Sequence, residues 1–520
     1  IRVDHKTNSC NVMNAQTEKN SDGFSREKER EGPLPIKTKV FYAFGEMPGA
    51  YMNLAIGSFL LIYYSVVLGA SAAAISLVLG VALFLDAICD PLVGAFSDQV
   101  KSRLGRRHPL MYAASIPMGV FICLLFTPPQ GLSATGLIGW LAFFLIMTRI
   151  TFTFFSVPWS ALIAEFSDDY EQRTVIASYR TLIGPLLGGI SSTLILTFIF
   201  IGTPDIPKGQ ENLENYNLFG PLIGSLMTGW ALLSTHFTRS EIPYLYQTRS
   251  TSSAGLAWML SSILLALKSR NYRILLVSML VYFGVLGTLS QFDMFVNTYF
   301  WDLTAAQLGT LALFAIPSPF LFFALAGAIQ RRFQKNQILC AAIFLNMALS
   351  LAAILFRLGG LFPSNESPLF IPLLGLFVTI QTFLSIAGAT TVFSMTADLA
   401  EEQEIRFGAR QEAGLASGIA FSTKAVGSLG VVAAGFLLEF FIKFPAGEAG
   451  TKIADDILFR LAITDAIIVN SLLLIPAFLI SRYNLSRESL AKMQSELRLK
   501  RARDELSLIH ISEPTRRSSI

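Results

Sequence analysis

Apolar residues run along most of this chain in stretches long enough to cross a bilayer as helices. Segments such as 59–87 and 371–392 are apolar almost throughout. A bilayer core about 30 Å thick needs roughly 20 apolar residues per helix, whereas the strands of a membrane barrel alternate apolar with polar residues. The pattern therefore predicts twelve transmembrane helices. Their expected limits are 38–68, 72–98, 109–127, 136–165, 175–202, 218–237, 272–301, 306–329, 337–361, 369–397, 411–443 and 459–481.

A long polar segment separates the sixth predicted helix from the seventh and divides the chain into two halves. The expected regions are a polar tail over 1–37 without a signal peptide, a six-helix half over 38–237, a linker with an amphipathic stretch over 238–271, a second six-helix half over 272–481, and a tail over 482–505. Leu506–Arg516 reads LSLIHISEPTR and resembles a translated sequencing adapter. We therefore expect 506–520 to be an artefact, and the natural start to lie at or after Met13.

The composition agrees with an integral membrane protein. Of 520 residues, 52% are hydrophobic and only 15% are charged, and the mean hydropathy is +0.54. These values exclude a water-soluble enzyme and an intrinsically disordered chain. The four cysteines show no CxxC spacing, and the four histidines lie in tails or near loop ends. We therefore expect no disulfide framework, no enzymatic activity and no cofactor or metal other than a coupling ion such as Na+.

Lysine and arginine residues are concentrated in the loops on one side of the predicted helices. Because positively charged short loops stay in the cytoplasm, we expect this side and both tails to face the cytoplasm from an inner membrane. The asymmetry also explains the net charge of +4 without a nucleic-acid partner. This side carries Lys101, Arg103, Arg106, Arg107, Arg173, Arg239, Arg249, Lys268, Arg270, Arg273, Arg331, Arg332, Lys335, Arg406 and Arg410, and the other carries Lys208, Arg357, Lys443 and Lys452.

The two predicted halves repeat one another at an offset of 233 positions. Similar residues fall into register in the cytoplasmic loops, and the start of helix 1 falls on the start of helix 7. The pairs are Gly94 with Gly327, Glu165 with Asp398, Asp168 with Glu401, Glu171 with Glu404, and Arg173 with Arg406. Two parallel six-helix repeats are typical of transporters that bind a solute near the bilayer midplane and expose it to each side in turn. A channel does not need this duplication.

Asp86 and Asp90 lie four positions apart in predicted helix 2, so both side chains project from one face of the helix. A charged residue at the bilayer centre costs about 2.5–3.5 kcal/mol on insertion scales, which favours a functional reason for each acid. The pair either binds a hard cation such as sodium or shares protons. The alternative is a structural ion pair with Arg149 of predicted helix 4.

Charged residues also gather at the cytoplasmic ends of the predicted helices. Positive charge there anchors the protein, and we further expect ion pairs that form and break during transport. The repetition of the acidic cluster near 165 in the cluster near 398 favours this latch over a metal site. Its expected members are Asp98, Arg103, Arg106, Arg107, Glu165, Asp168, Arg173, Asp398, Glu401, Glu404, Arg410 and Glu412.

Several motifs together resemble the glycoside-pentoside-hexuronide:cation symporters, the melibiose-permease-like branch of the major facilitator superfamily. The motifs are FLDAICDPLVGAFSDQVKSRLGRRHP in helix 2, FSVPWSAL after Thr153, SYR at Ser178–Arg180, and the acids and bases from Ala397 to Lys424. The resemblance extends over nearly all of 38–482. It implies twelve helices in two pseudo-symmetric halves, and sodium- or proton-coupled symport of a sugar, glycoside or hexuronide by alternating access.

The resemblance implies a cation site formed by Asp86, Asp90 and Thr153. Cys89 stands where the melibiose permeases have an asparagine ligand. Because a thiol is a poor ligand for sodium, this difference favours proton coupling over sodium coupling.

The resemblance also implies a solute pocket. Arg180 and Lys424 match cavity-facing cations of the family, whereas Ser156 and Ala50 replace two acids that bind sugar hydroxyls in the melibiose permeases. Melibiose-like substrates are therefore not expected.

Four further residues complete the expected pocket: Glu46, Arg149, Trp159 and Asp293. Glu46 lies one turn before Ala50, Trp159 lies beside a proline in helix 4, and Asp293 is a further intramembrane acid. Arg149 either makes the cavity cationic, which suits a hexuronide, or neutralises an acid of helix 2. The sequence leaves both possibilities open.

Three functions are compatible with this pattern. The favoured one is cation-coupled symport of a small polar solute by a monomer embedded in the lipid bilayer. A sodium-coupled lysophospholipid carrier of the same fold is the first alternative, because a cationic, aromatic-rich cavity would suit a phosphate head and an acyl tail. A receptor that binds a solute without moving it would not need both acids of helix 2, and this makes it the weakest of the three.

Overall fold

The computed structural model describes residues 24–26, 30, 32–167, 169–248, 264, 267–407, 412–485, 488–490 and 492–496. Twelve helices in these ranges are long and apolar enough to cross a membrane, which confirms the predicted all-α membrane fold. They are α1 (Ile36–Val67), α2 (Ala72–Gln99), α3 (His108–Leu125), α4 (Ala134–Phe166), α5 (Glu171–Phe198), α6 (Leu213–Tyr244), α7 (Arg270–Phe300), α8 (Ala305–Arg332), α9 (Lys335–Leu358), α10 (Phe370–Ile405), α11 (Gly418–Ile442) and α12 (Asp455–Ser481).

Two of these helices are much longer than their apolar patterns predict. The limits 218–237 become Leu213–Tyr244 in α6, and the limits 369–397 become Phe370–Ile405 in α10. The added turns are polar, so an apolar pattern does not reveal them. In α10, these turns carry the acids of the predicted latch beyond the apolar segment.

Short polar motifs begin several of the helices. Ser133 Oγ accepts a hydrogen bond from the backbone N–H of Gly136 at the start of α4. Thr304 and Gln307 form a reciprocal capping box at the start of α8. These bonds satisfy backbone donors that have no partner within the helix.

Four helices contain π-helical segments. They are Asn53–Phe59 and Tyr63–Val67 in α1, Val296–Phe300 in α7, Leu437–Ile442 in α11, and Thr464–Val469 in α12. A wider turn rotates all later side chains about the helix axis. Such turns are often found at functional sites.

The chain forms two compact units. The first unit comprises Ile1–Gly57, Leu85–Ser192 and Leu213–Leu256, and the second comprises Ser58–Phe84, Thr193–Asn212 and Ala257–Ile520. The predicted halves, 38–237 and 272–481, do not coincide with these units. Parts of α1, α2 and α5 belong to the second unit.

The end of the first unit contains a small sheet. Strand β1 (Phe24–Arg26) pairs antiparallel with β2 (Tyr246–Thr248), so a segment before α1 joins the start of the predicted linker. The predicted amphipathic stretch of this linker lies mostly outside the described residues, as does the segment 506–520.

Glycine allows α2 and α11 to pack closely within the second unit. A Cβ built on Gly435 of α11 would overlap Ser76 Oγ and the carbonyl oxygen of Ala72 in α2. Glu439, one turn later, accepts hydrogen bonds from Ser71 Oγ and from the backbone N–H of Ala73, the latter at 2.9 Å. The carboxylate therefore caps the first turn of α2.

Candidate cation and solute site

The acid pair of α2 faces α4 inside the first unit. Asp86 is buried, and its Oδ1 accepts a hydrogen bond of 2.7 Å from Thr153 Oγ1. Its Oδ2 lies 3.8 Å from Nη1 of Arg149. Asp90 is half-buried one turn further along α2, and its charge also acts on the Arg149 guanidinium. Two carboxylates, one hydroxyl and one guanidinium therefore converge.

The spacing of polar residues along α4 explains this convergence. Arg149, Thr153 and Ser156 follow one another at intervals of four and three residues, which places them along one face of a helix. Thr153 is buried and Ser156 is half-buried. Cys89 is half-buried beside Asp90 in the sequence, within the electrostatic reach of both acids.

Arg149 lies beside the first acid of α2 in the structure. Its guanidinium faces Asp86 at ion-pair distance, with 13% of its side chain exposed. The Nε atom is buried and has no hydrogen-bond partner among the residues that the structure describes. Asp86, Asp90 and Arg149 together carry a formal charge of −1 when all three are ionised.

A second ion pair joins α1 to α5 in the same unit. Arg180 Nε donates to Glu46 Oε2, and about a third of each side chain is exposed. The Arg180 guanidinium also lies over the Trp159 ring, 4.4 Å from its centroid. The charges of Glu46 and Arg180 neutralise one another, and both side chains remain partly accessible to solvent.

Trp159 is buried between its neighbours and does not present a free face. Its indole N–H donates to the Tyr42 carbonyl oxygen at 2.9 Å, and its ring stacks on that of Tyr42. A Cβ on Gly45 would overlap the indole. Trp159 therefore positions Arg180, and the structural roles of Tyr42 and Gly45 were missed by sequence reasoning. The signal available in the sequence was a glycine, Gly45, within a predicted transmembrane helix, because such a glycine often permits close packing of a neighbouring side chain.

Two predicted pocket residues of the second unit, Asp293 and Lys424, lie on α7 and α11. Asp293 Oδ1 accepts a 3.0 Å hydrogen bond from Asn297 Nδ2, and Lys424 is half-buried on α11. The charge of Asp293 also acts on the buried Asp465 of α12. Sequence reasoning missed Asp465, although a single acid in an apolar helix was a sufficient signal.

Four of the predicted latch residues form one network at the ends of α2, α3 and α4. Arg106 Nη2 and Arg107 Nε both contact Glu165 Oε1, at 2.8 and 2.9 Å. Arg107 Nη2 also lies 2.7 Å from Asp98 Oδ1. Glu165 is buried, whereas 45% of the Asp98 side chain is exposed. Arg103 is exposed outside this network.

The remaining predicted latch residues are distributed differently. Arg173 donates to the carbonyl oxygens of Ser167 and Ala164, so it caps the end of α4. In the second unit, Lys335 pairs with Asp398 at 2.6 Å and Gln494 donates to Glu401. The other members have these positions: Glu404 is half-buried, Asp168 and Arg410 lie outside the described residues, and the side chain of Glu412 does too.

Oxygen ligands for a small cation are present at one place in the first unit. Asp86, Asp90 and Thr153 supply hard oxygen atoms, the type of ligand that alkali and alkaline-earth ions bind. Within the described residues, no group of three or more His, Cys, Asp or Glu side chains could hold a metal ion.

Comparison with known proteins identifies the family. A sequence family described as "MFS/sugar transport protein" matches residues 41–487. The chain belongs to this family. It is an integral membrane transport protein and not an enzyme.

Three curated proteins illustrate the similarity. The chain is 26% identical to the "uncharacterized symporter YnaJ" of Bacillus subtilis over 489 residues, which covers 92% of this chain and 98% of YnaJ. It is 27% identical to the "putative glycoside/cation symporter YagG" of Escherichia coli, over 43% of this chain and 46% of YagG. It is 30% identical to "sodium-dependent lysophosphatidylcholine symporter 1" of Mus musculus, over 33% of this chain and 32% of that protein.

A solved structure supports the fold. The nucleoside transporter NupG superposes with a TM-score of 0.58 at 11% identity, over 86% of this chain and 98% of NupG. Since identity is low, this likeness concerns the fold alone.

Proposed function

We propose that the protein moves a neutral sugar or glycoside together with one monovalent cation, by alternating access. The observation that carries this proposal is the contact of Asp86 with both Thr153 and Arg149. Together with Asp90, one turn further along α2, this contact creates an oxygen-lined site of net charge −1 in a membrane helix. Such a site is costly in lipid unless a cation compensates it.

The charge of the site favours a single monovalent cation, Na+ or H+. One such ion makes the group formed by Asp86, Asp90 and Arg149 neutral, whereas a divalent ion would leave an excess positive charge. A proton needs only a carboxylate, and Na+ needs several oxygen ligands. Cys89 adds no oxygen ligand to the site.

The loose ion pair suggests how the ion and the solute are coupled. At 3.8 Å, Arg149 attracts Asp86 without a short hydrogen bond. A cation on Asp86 would weaken this attraction and release the guanidinium to bind a solute hydroxyl. The cation and the solute then raise each other's affinity, as linkage requires.

Charge pairing within the first unit favours a neutral solute over a hexuronide. Arg149 pairs with Asp86, and Arg180 pairs with Glu46, so neither guanidinium needs an anionic solute. The accessible Glu46–Arg180 pair offers both an acceptor and a donor for sugar hydroxyls. The printed name of YagG, a glycoside/cation symporter, agrees with this substrate class.

The proposal includes orientation and assembly. The concentration of Lys and Arg in the loops near 101–107 and 331–335 supports cytoplasmic termini in an inner membrane. A functional monomer stays part of the proposal. We also propose that the Arg106–Glu165 and Lys335–Asp398 pairs act as the latch that breaks and re-forms during transport.

Uptake by proteoliposomes tests this function. Purified protein would be given a Na+ gradient or a proton gradient, with radiolabelled glycosides, hexuronides and lysophosphatidylcholine offered in parallel. We expect one gradient to drive glycoside uptake, and Asp90→Asn to lower this uptake by about tenfold or more because the site becomes neutral without an ion.

A matched control is Asp456→Asn. Asp456 is exposed and pairs only loosely with Arg460 one turn away, so its uptake should equal that of the wild type. Lysophosphatidylcholine uptake without glycoside uptake would replace the proposal with the lipid carrier. Solute binding without flux in any gradient would indicate a receptor.

A further inference from the structure

An apolar cavity of about 410 Å³ lies inside the second unit. Its walls come from α7, α9, α10 and α11. Representative side chains are Phe283 of α7, Ile343 of α9, Val392 of α10 and Ile419 of α11. All four helices belong to the same compact unit, and the cavity opens to the surface of that unit beside Phe393, which is 77% exposed.

In the wall, the polar side chains of Asn346, Thr396 and Thr423 are already hydrogen-bonded to protein atoms. Asn346 Nδ2 donates to the Gln381 carbonyl oxygen at 3.2 Å and to Ser385 Oγ at 3.1 Å. The hydroxyls of Thr396 and Thr423 donate to backbone oxygens of their own helices, both at 2.8 Å. A sugar ring in this cavity would lose hydrogen bonds to water without replacement. The lining therefore selects an apolar group.

The size of the cavity sets the size of its occupant. An apolar cavity of about 150 Å³ lined by Leu, Ile and Phe is known to bind benzene. A volume of about 410 Å³ accommodates a group larger than two benzene rings, or an alkyl chain of corresponding volume.

The cavity adjoins the proposed solute residues of the second unit. Thr423 lines it, and Lys424 is the next residue of α11. Leu286 also lines it and lies seven residues before Asp293, about two turns along α7. A molecule with a polar head near these charged residues would place an attached apolar group in the cavity.

We propose that this cavity binds the apolar part of an amphipathic substrate, namely an aryl or alkyl group attached to the polar solute. This inference rests on the proposed transport function and narrows it from glycosides in general to those with an apolar aglycone. A lysolipid acyl chain has the same chemistry, and the experiment separates the two sources.

Gly388 provides a way to fill the cavity. A Cβ at this position would lie 3.7 Å from Leu339 Cδ1 and 3.8 Å from Ala342 Cβ, which is ordinary contact distance. A leucine side chain at 388 would extend into the cavity. Ala342→Phe fills it from the adjoining wall on α9 and serves as a second variant if the first fails to fold. Gly229→Leu is the matched control, because open space surrounds Gly229 on α6.

The first experiment measures competition against the uptake of a transported glycoside. Methyl, phenyl and octyl β-glycosides of the same sugar would be compared, together with lysophosphatidylcholine. We expect the phenyl or octyl compound to compete about tenfold better than the methyl compound in the wild type and in Gly229→Leu. This preference should disappear in Gly388→Leu and in Ala342→Phe, while competition by the methyl compound persists.

Two results of this experiment would overturn the inference. One is equal competition by the methyl, phenyl and octyl compounds in the wild type. The other is an apolar preference that survives in both filled variants. Competition by lysophosphatidylcholine alone, lost in the filled variants, would assign the cavity to an acyl chain.

A second experiment does not depend on transport. A small apolar phenyl diazirine would be photolysed with protein in nanodiscs, and labelled peptides would be mapped by mass spectrometry. We expect labelling within 339–346 and 384–393 in the wild type and Gly229→Leu, and its loss in Gly388→Leu. Labelling that Gly388→Leu leaves unchanged would refute the cavity proposal. Cavity labelling without glycoside uptake would refute the transport proposal alone.

Discussion

Nη1 of Arg149 lies 3.8 Å from Oδ2 of Asp86, so a cation of α4 faces the first acid of α2. Thr153, one turn further along α4, donates to the other oxygen of the same carboxylate. Asp86 is therefore held from two sides by one helix. A transported cation that binds to Asp86 must compete with Arg149.

Arg149→Gln should strengthen cation binding. Removal of the guanidinium changes the formal charge of the site from −1 to −2, so the coupling ion should bind about tenfold more tightly. Solute uptake should fall, because the released guanidinium no longer contacts the solute. The concentration dependence of ion-driven uptake measures both effects.

Arg149→Lys is the matched control because it keeps the charge. Its ion affinity should stay close to that of the wild type. Weaker ion binding in Arg149→Gln would show that the guanidinium supports the ion and does not compete with it.

Thr153→Val should identify the coupling ion by the direction of its effect. The substitution removes the buried hydroxyl that donates to Asp86, a charge-assisted bond of a type that contributes about 1.5–3 kcal/mol. If the ion is a proton, loss of this donor favours the protonated acid and ion affinity rises. If the ion is Na+, loss of an oxygen ligand lowers the affinity.

Ion-dependent uptake under separate Na+ and proton gradients distinguishes the two outcomes for Thr153→Val. Thr153→Ser retains the hydroxyl and should behave like the wild type. An unchanged ion affinity in Thr153→Val would remove Thr153 from the proposed site.

The two acids of the α2–α3–α4 network should differ strongly in their effect on stability. Glu165 is buried between Arg106 and Arg107, so Glu165→Gln should destabilise the protein by about 3 kcal/mol. Asp98 is 45% exposed, and Asp98→Asn should cost less than about 1 kcal/mol. Thermal unfolding in detergent measures both. Equal changes in the unfolding temperature of the two variants would contradict this difference in burial between Glu165 and Asp98.

Two glycines of α11 allow a comparison of helix packing. Gly435→Ala should destabilise the protein by about 1–3 kcal/mol, because its methyl group would overlap Ser76 and Ala72. Gly427→Ala places its methyl 3.7 Å from the Phe283 carbonyl oxygen and should be tolerated. The same unfolding measurement applies. Normal stability of Gly435→Ala would show that the crossing of α2 and α11 relaxes easily.

The class of fold and the importance of the two acids of α2 can be predicted from the amino-acid sequence alone. Helix formation in a membrane depends on local apolar length, and the spacing of Asp86 and Asp90 places both on one helix face without any tertiary information. The same reasoning located Thr153 and Arg149 on one face of α4. The sequence is compatible with two roles for Arg149, namely contact with the solute and neutralisation of an acid of α2.

Contacts between side chains of different helices could not be predicted in this way. The partner of Arg149, the burial of Trp159 behind Tyr42 and Gly45, and the cavity beside Gly388 all depend on how helices rotate and cross. The same applies to the interaction between Asp293 and Asp465, because these residues are 172 positions apart in the sequence. Local hydrophobicity specifies that a helix spans the membrane, but the direction in which each side chain points is set by packing against other helices.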